Sequence, residues 1–226
     1  MKNDKSGPIV VRPVTTPKEL KQFIAFPWRI YRGDTNLVPP LISDIRARLD
    51  VKSNPFWRVA ERELWMAWQG NQPVGRIAAI IDRARNQMFN QTVGLFGFFE
   101  SINDPDVAAQ LLKTAEDWLR VHGMTIIRGP YNPSPNDDVG ILVEGFDTRA
   151  AIMEGHNPSY YPAFFENMGF TKYVDTLARL AKRDPTHQQL QQALPEKLVR
   201  VAERVKQRSD LALRKINMAA WEDEIK

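Results

Sequence analysis

The sequence predicts an α/β fold with a mixed central sheet flanked by helices. Two strand-like runs, residues 62–69 and 73–82, are separated by a turn of type Gly-Asn-Gln, which predicts an antiparallel hairpin. A third such run covers residues 91–100, and an amphipathic helical pattern separates it from the apolar run 124–127. Strands joined through a helix in this way are parallel, with a right-handed crossover. Antiparallel strands followed by a parallel crossover therefore predict a mixed sheet.

The amino-terminal elements are predicted from strand and cap signals. Residues 9–14 form a strand-like run. Thr16 precedes a proline, and Glu19 follows three residues later, which is the capping-box pattern of a helix start. This helix is predicted to stop before Pro27, and a further helix is predicted near residues 41–49.

The clearest helix begins at Asp104, which suits an N-cap and is followed by Pro105. Apolar residues recur along it at helical spacing, and Gly123 is predicted to end it. The run 124–127 that follows is almost uniformly apolar, which is typical of a central strand.

The last elements of this order are a helix and a strand. The stretch NPSYYPAFFENMGF predicts a short helix that ends at Gly169. A final strand is predicted over residues 173–180.

The composition excludes several classes of site. The chain of 226 residues is 43% hydrophobic and 26% charged, as in ordinary globular proteins. It has no cysteine, so disulfides, thiolate nucleophiles and cysteine-ligated zinc are excluded. Its three histidines are too scattered to predict a metal site. The sequence shows no signal peptide and no apolar run of membrane-spanning length, so we expect a cytoplasmic protein without a membrane partner.

Residues 128–146, RGPYNPSPNDDVGILVEGF, form the segment on which the functional prediction depends. Proline, glycine, asparagine and aspartate are too dense here for a regular helix or strand. Its aliphatic and aromatic residues argue against disorder. We therefore expect an ordered loop over the carboxyl ends of the strands, where the crossover pair splays apart to make ligand space.

Polar residues of this loop are the candidate acceptor site. A carboxylate beside a bound amine can act as a general base once burial raises its pKa, so Asp137 and Asn136 are the catalytic candidates. Turn formation is an equally good explanation, in which Asp137 caps a helix at residues 138–142. Four further loop residues are predicted to bind the substrate: Tyr131, Asn132, Ser134 and Asp138.

Residues 8–181 resemble the GNAT superfamily of acyl-CoA-dependent N-acyltransferases. The likeness rests on the element order and on the segments PVGRIAAIID, VGLFGFFES and NPSYYPAFFENMGF. With GPYNPSPND, these segments are similar to a bacterial group of GNAT-like proteins of unassigned substrate. The resemblance implies a GNAT-like fold, acetyl-CoA or another acyl-CoA as donor, and a small-molecule or peptide amine as acceptor.

The resemblance also implies which residues contact the donor: Phe98, Phe99, Glu100, Ser101 and Asn157. The family's tyrosine acid falls on Phe165, so Tyr161, or its neighbour Tyr160, is the candidate proton donor. The family's glycine-rich pyrophosphate loop is replaced by ESINDPD, which has no glycine and carries three carboxylates after Phe99. Like charges repel, so this segment is an atypical pyrophosphate site.

The carboxyl-terminal residues predict two further segments. Residues 182–210 are predicted to form a basic linker helix. Residues 211–226 begin with LALRKINMAAWEDEI, which resembles the opening VVRPVTTPKELKQFI, and they are predicted to start a second GNAT-like unit. The basic linker lacks the interleaved aromatic residues of single-strand binders, which argues against a nucleic-acid partner.

Three functional hypotheses follow from the sequence. The first is a GNAT-fold N-acyltransferase that uses acyl-CoA. The second is a non-catalytic binding or regulatory half of a two-unit GNAT-like protein. The third is an aminoacyl-tRNA-dependent transferase of the Fem type, which the basic linker permits.

Overall fold

The computed structural model describes residues 7–151, 153–179, 196–208 and 214–224. The chain divides into two compact units, Met1–Ala178 and Arg179–Lys226. The bounds of the predicted domain, residues 8–181, are close to the bounds of the first unit. None of the helices in the described ranges is long and apolar enough to cross a bilayer.

The first unit is built on a five-stranded sheet. The strands lie in chain order across it. The pairs formed by the first four strands are antiparallel, and the fourth and fifth strands are parallel. Their bounds are β1 (Ile9–Pro13), β2 (Ala60–Gln69), β3 (Gln72–Asp82), β4 (Val93–Ser101) and β5 (Ile126–Arg128). The predicted mixed α/β sheet flanked by helices is therefore confirmed.

Six α-helices lie in the described residues of this unit, together with a 3-10 helix at Pro55–Arg58. The capping box predicted at Thr16 is present, since its hydroxyl accepts from the Glu19 amide at 3.2 Å and the Glu19 carboxylate accepts from the Thr16 amide at 2.9 Å. The bounds are α1 (Pro17–Ala25), α2 (Pro27–Ile30), α3 (Ile42–Leu49), α4 (Arg83–Met88), α5 (Pro105–Val121) and α6 (Tyr161–Asn167).

The helices cover both faces of the sheet, and side chains of β3 alternate between two apolar clusters. Ile77 packs with α5 and α6, whereas Ala78 packs with α1 and α3. Burial on both faces explains why residues 77–81 of β3 are all apolar.

The prediction of a central position for residues 124–127 was wrong. The strand that forms there, β5, lies at the edge of the sheet and pairs only with β4. Ile126 is 47% exposed. A short apolar run does not show how many neighbours a strand has, because that number depends on distant parts of the chain.

The prediction of a final strand over residues 173–180 was also wrong for the described part of that range, 173–179, which forms no strand. Tyr173, Val174 and Leu177 are exposed. An apolar segment forms a strand only when it pairs with the edge of a sheet and packs one side against a core. Residues 173–179 do neither in the described structure.

The second unit contains two helices in its described residues, α7 (Glu196–Lys206) and α8 (Trp221–Glu224). Part of the predicted linker helix is thus helical, but residues 182–195 lie outside the described residues. Residues 214–217 form no strand, and residues 211–213 lie outside the described ranges. The second GNAT-like unit stays a prediction.

Thr16→Ala is expected to lower the free energy of unfolding by about 1 kcal/mol, because the Glu19 amide loses its hydrogen-bond acceptor at the helix start. Urea denaturation followed by circular dichroism measures this difference. Lys18→Ala, at an exposed position of the same helix turn, is the control and is expected to change stability by less than about 0.5 kcal/mol. Equal losses in both variants would contradict the capping role.

Candidate functional site

A β-bulge lies near the carboxyl end of β4. Ala78 pairs with Gly97 and Arg76 pairs with Glu100, so β4 has one residue more than β3 between these pairs. Phe98, inside the bulge, has a φ of +48°. A bulky residue rarely adopts this conformation, and such strained backbone concentrates at functional sites.

The loop after β5 lies against this bulge. The amide of Phe98 donates to Oδ1 of Asn132 at 2.6 Å. A Cβ atom on Gly97 would lie 1.6 Å from the carbonyl oxygen of Tyr131, so only glycine permits this backbone contact. The expected opening between the crossover strands is therefore filled by the chain itself, because residues 129–132 continue along β4 after β5 ends.

Two short strands organise the loop, β6 (Tyr131–Asn132) and β7 (Asp138–Val139). Arg48, on α3, holds both loop carboxylates, with Asp138 at 2.7 Å and Asp137 at 3.7 Å. The helix considered for residues 138–142 does not form, because β7 begins at Asp138. These contacts join the loop to α3 and to its own second strand.

The catalytic candidates on the loop are engaged in local contacts. The hydroxyl of Ser134 donates to Asp137 at 2.6 Å, and the amide of Asn136 donates to that hydroxyl at 3.2 Å. Asn157 is buried and accepts from the Leu142 amide at 2.6 Å. These contacts are those of a folded turn, and the catalytic and binding roles of these residues stay predictions.

A buried polar cluster lies where β4 ends. Oε2 of Glu100 accepts from the hydroxyls of Tyr161 at 2.8 Å and Tyr31 at 3.0 Å. Nη2 of Arg76 lies 3.8 Å from Oε1 of Glu100, and Nη1 donates to the carbonyl oxygen of Phe23 at 2.7 Å. The cluster thus joins α2, β3, β4 and α6 around one carboxylate.

Burial governs the protonation of this cluster. It raises the pKa of Glu100 above the ordinary carboxyl value, although the charge of Arg76 and the tyrosine hydrogen bonds oppose the shift. Burial and then the charge of Glu100 hold the pKa of Tyr161 well above its usual range, and the same two causes raise that of Tyr31. The tyrosines therefore remain hydrogen-bond donors, and Glu100 is the group that can gain or lose a proton.

A histidine links this cluster to the surface. Nε2 of His156 lies 2.7 Å from a carboxylate oxygen of Asp34, and this hydrogen bond is the main cause that lowers the pKa of Asp34. The hydroxyl of Tyr31 lies 3.1 Å from the His156 carbonyl oxygen, and the two rings are 5.8 Å apart. The His156 side chain is only 5% exposed, and its buried Nδ1 has no partner in the described ranges.

The structure brings together four of the predicted site residues at the end of β4: Phe99, Glu100, Ser101 and Tyr161. Tyr161 accepts from the Ser101 amide at 2.8 Å, and Tyr160 donates to the Ser101 carbonyl oxygen at 2.8 Å. The Phe99 ring packs 5.2 Å from the Tyr161 ring.

Sequence reasoning missed the contacts of Arg76 and Asp34 in this cluster. The available signal was a charged residue inside an apolar strand, which VGRIAAI and GFFES both contain. A charge at such a position is buried and needs a partner.

The backbone predicted to bind the acyl donor is already hydrogen-bonded. Phe98 donates to the Asn132 side chain, and both backbone groups of Ser101 are bonded to the tyrosines of α6. At the start of α5, the Asp104 carboxylate accepts from the Asp106 amide at 3.0 Å. A donor would have to displace these contacts in order to bind the same atoms.

A surface cavity lies elsewhere in the first unit. It has a volume of about 240 Å³ and is lined by β1, β2 and the start of α1, including Arg12, Gln22 and Trp68. None of the predicted site residues lines it.

Two curated proteins are similar in sequence to this chain. The chain is 39% identical over 219 residues to a bacterial ceramide synthase of Caulobacter vibrioides, a match that covers 95% of this chain and 54% of that protein. It is 38% identical over 169 residues to protein YghO of Escherichia coli, a match that covers 75% of this chain and 43% of that protein. The chain spans about half the length of the curated relatives it matches. No protein-family model matches the sequence.

Solved structures show weaker similarity. A tandem GNAT protein from the clavulanic acid biosynthesis pathway has a TM-score of 0.47 at 12% identity, over 72% of this chain and 43% of that one. An aminoglycoside N-acetyltransferase has a TM-score of 0.43 at 12% identity, over 80% and 99%. At these scores the likeness adds nothing to the fold already described.

Proposed function

We propose that this chain is an N-acyltransferase that binds both the amine and the acyl thioester, with Glu100 as the group that takes the proton from the amine. The observation that carries the proposal is the buried Glu100 carboxylate, which is held by two tyrosine hydroxyls and has a raised pKa. A neutral amine nitrogen must lose a proton as the amide bond forms, and a carboxylate with a raised pKa suits the acceptance of that proton.

The sequence relatives support this proposal and suggest the acceptor class. The Caulobacter relative is a ceramide synthase, and a ceramide is an amide of a long-chain amino alcohol. Its match to this chain covers all of the cluster segments, since it extends over 95% of the sequence. We therefore extend the proposal to a long-chain amine as the acceptor.

The proposed reaction forms one bond and breaks one. The amine nitrogen attacks the carbonyl carbon of an acyl thioester, the C–N bond forms and the C–S bond breaks. Glu100 accepts the proton that the nitrogen loses and returns it to the departing thiolate. The net change is amine plus thioester to amide plus thiol, and the tyrosine hydroxyls stabilise the Glu100 carboxylate before the first transfer and after the second.

A second candidate is that this chain binds the acceptor while another unit binds the donor. The bonded backbone of Phe98 and Ser101 favours it, as do the carboxylates of ESINDPD. The fact that the chain spans about half of its curated relatives is consistent with a separate donor unit.

Glu100→Gln is expected to lower the rate of amide formation by about 100-fold or more, because the glutamine cannot accept a proton. The purified chain is incubated with palmitoyl-CoA and sphinganine, and the amide is quantified by mass spectrometry. In the unsubstituted chain, the rate of amide formation should rise with pH through a pKa above the usual 4.5 of a glutamate. This pH-dependent rise should be absent in Glu100→Gln. Glu61→Gln, at an exposed carboxylate, is the control with unchanged rate.

Binding measurements separate the two candidates. Calorimetry with a short-chain, water-soluble analogue of sphinganine and with coenzyme A reports each ligand alone. Amine binding without coenzyme A binding or turnover would establish the second candidate. A folded chain that binds neither ligand would overturn the proposal, and amide formation that survives Glu100→Gln would remove Glu100 from it.

A further inference from the structure

An exposed apolar segment, residues 38–42 (VPPLI), lies between α2 and α3. All five residues are exposed, with Leu41 at 66% and Ile42 at 50%. Scattered apolar side chains are normal on a protein surface, but a continuous stretch of this kind usually marks a contact surface.

The surrounding structure holds this segment in place. Asn36 donates through its side chain to the Phe146 carbonyl oxygen at 3.2 Å, which ties the segment to the end of the loop 128–146. On the other side, α3 begins at Ile42 and buries Ile45 and Leu49 in the core. Leu41 and Ile42 are therefore exposed next to an anchored helix, and no described neighbour covers them.

The charges around the segment are mainly positive. Arg29, Arg32 and Arg46 are exposed on either side of it. The nearby Asp34 lies 2.7 Å from Nε2 of His156, and Asp44 accepts from the Ser43 hydroxyl at 3.3 Å. Because these hydrogen bonds leave both formal charges in place, the three arginines exceed the two aspartates by one positive charge. Arg46 lies one helical turn after Ile42 on α3, and an arginine beside an exposed aliphatic side chain is typical of surfaces at the headgroup level of a membrane.

We propose that residues 38–42 dock this chain onto the surface of a bilayer that contains anionic lipids. Leu41 and Ile42 would enter the boundary between headgroups and acyl chains, and the arginines would contact lipid phosphates. Surface binding needs no spanning helix, so it is compatible with the absence of a membrane-spanning run in the sequence.

The apolar segment lies close in the chain to residues of the buried cluster. Tyr31 and Asp34, which belong to the buried cluster, lie in the same connection between α2 and α3 as the apolar segment. Docking would hold the cluster next to the bilayer, where a long-chain amine is dissolved. This last step rests on the proposed function, whereas vesicle binding does not.

Vesicle sedimentation tests the docking. The purified chain is expected to sediment with vesicles of equimolar phosphatidylcholine and phosphatidylglycerol. The double variant Leu41→Ser/Ile42→Ser should bind about tenfold more weakly, because two apolar side chains no longer enter the bilayer. The matched control is Met88→Ser/Phe89→Ser, an equally exposed apolar pair at the end of α4, with unchanged binding.

The charge contribution has its own test. Arg32→Gln/Arg46→Gln should weaken binding to the mixed vesicles by about tenfold or more and leave the weak binding to pure phosphatidylcholine unchanged. No sedimentation of the unsubstituted chain, or equal losses in the two serine variants, would overturn the proposal. A dimer in gel filtration that Leu41→Ser/Ile42→Ser dissociates would also overturn it, in favour of contact with a second copy.

The experiments distinguish failure of the docking proposal from failure of the proposed function. A chain that forms amide in detergent but does not bind vesicles would leave the proposed function standing and remove the docking. A chain that binds vesicles through Leu41 and Ile42 but neither binds the amine nor forms amide would do the reverse.

Discussion

Arg76→Met is expected to lower the free energy of unfolding by about 3–5 kcal/mol, because it leaves the Glu100 carboxylate, whose side chain is only 12% exposed, without a compensating charge. The variant also loses the hydrogen bond from Arg76 to the Phe23 carbonyl oxygen. Chemical denaturation at neutral pH measures the loss.

Two further variants show whether the loss comes from the unpaired charge. Arg83→Met breaks an exposed ion pair with Glu61 and should cost less than about 1 kcal/mol. Arg76→Met/Glu100→Leu removes both buried charges and should recover most of the stability. A single variant no less stable than Arg83→Met would mean that Glu100 does not need Arg76.

The same variant should depend on pH in a defined direction. Without Arg76, the pKa of Glu100 in the folded chain rises further above the unfolded value of 4.5. A raised carboxyl pKa favours the protonated folded state, so its stabilising effect is complete below the unfolded pKa and is lost as the pH rises through the folded pKa. The deficit of Arg76→Met should therefore shrink as the pH falls toward 4.5.

Gly97→Ala is expected to cost about 3 kcal/mol, because a Cβ atom there would lie 1.6 Å from the Tyr131 carbonyl oxygen. The obstructing atom belongs to the backbone, so a side-chain rotation cannot relieve the contact. The loop must move away from β4, and the hydrogen bond from the Phe98 amide to Asn132 would then be lost.

Gly155→Ala is the matched control for this substitution. The nearest atom to a Cβ at Gly155 lies 3.9 Å away, which is an ordinary contact, and we expect a change of less than about 0.5 kcal/mol. The amide chemical shifts of Phe98 and Asn132 should change in Gly97→Ala and should be unchanged in Gly155→Ala. An unchanged Phe98 amide in a stable Gly97→Ala chain would show that the loop does not lie against the bulge.

Features written in adjacent residues could be predicted from the sequence. The capping box at Thr16 and the proline start of α5 depend on side chains within one helical turn. The β2–β3 hairpin depends on a short turn between two apolar runs. In each case the hydrogen-bonding partners lie close together in the chain, so the pattern contains the information.

The composition of the candidate site could be predicted only in part, since its contacts join distant residues. Glu100 and Tyr161 were chosen through the resemblance, but the partnership of Glu100 with Tyr31 spans 69 positions. The filling of the space between β4 and β5 depends on a backbone contact between Gly97 and Tyr131. No local pattern encodes which strand edge a loop will occupy.

The hydroxyl of Tyr161 has a consequence for hydrogen exchange. The Ser101 amide donates to this side chain on α6, whereas the next amide, Ile102, donates to the Val74 carbonyl oxygen on β3. Detachment of α6 therefore exposes the first amide to solvent and leaves the second protected. These two neighbouring amides therefore report separately on the detachment of the helix and on the stability of the sheet. The exchange rate of the Ser101 amide would measure how often Tyr161 moves away from the Glu100 carboxylate.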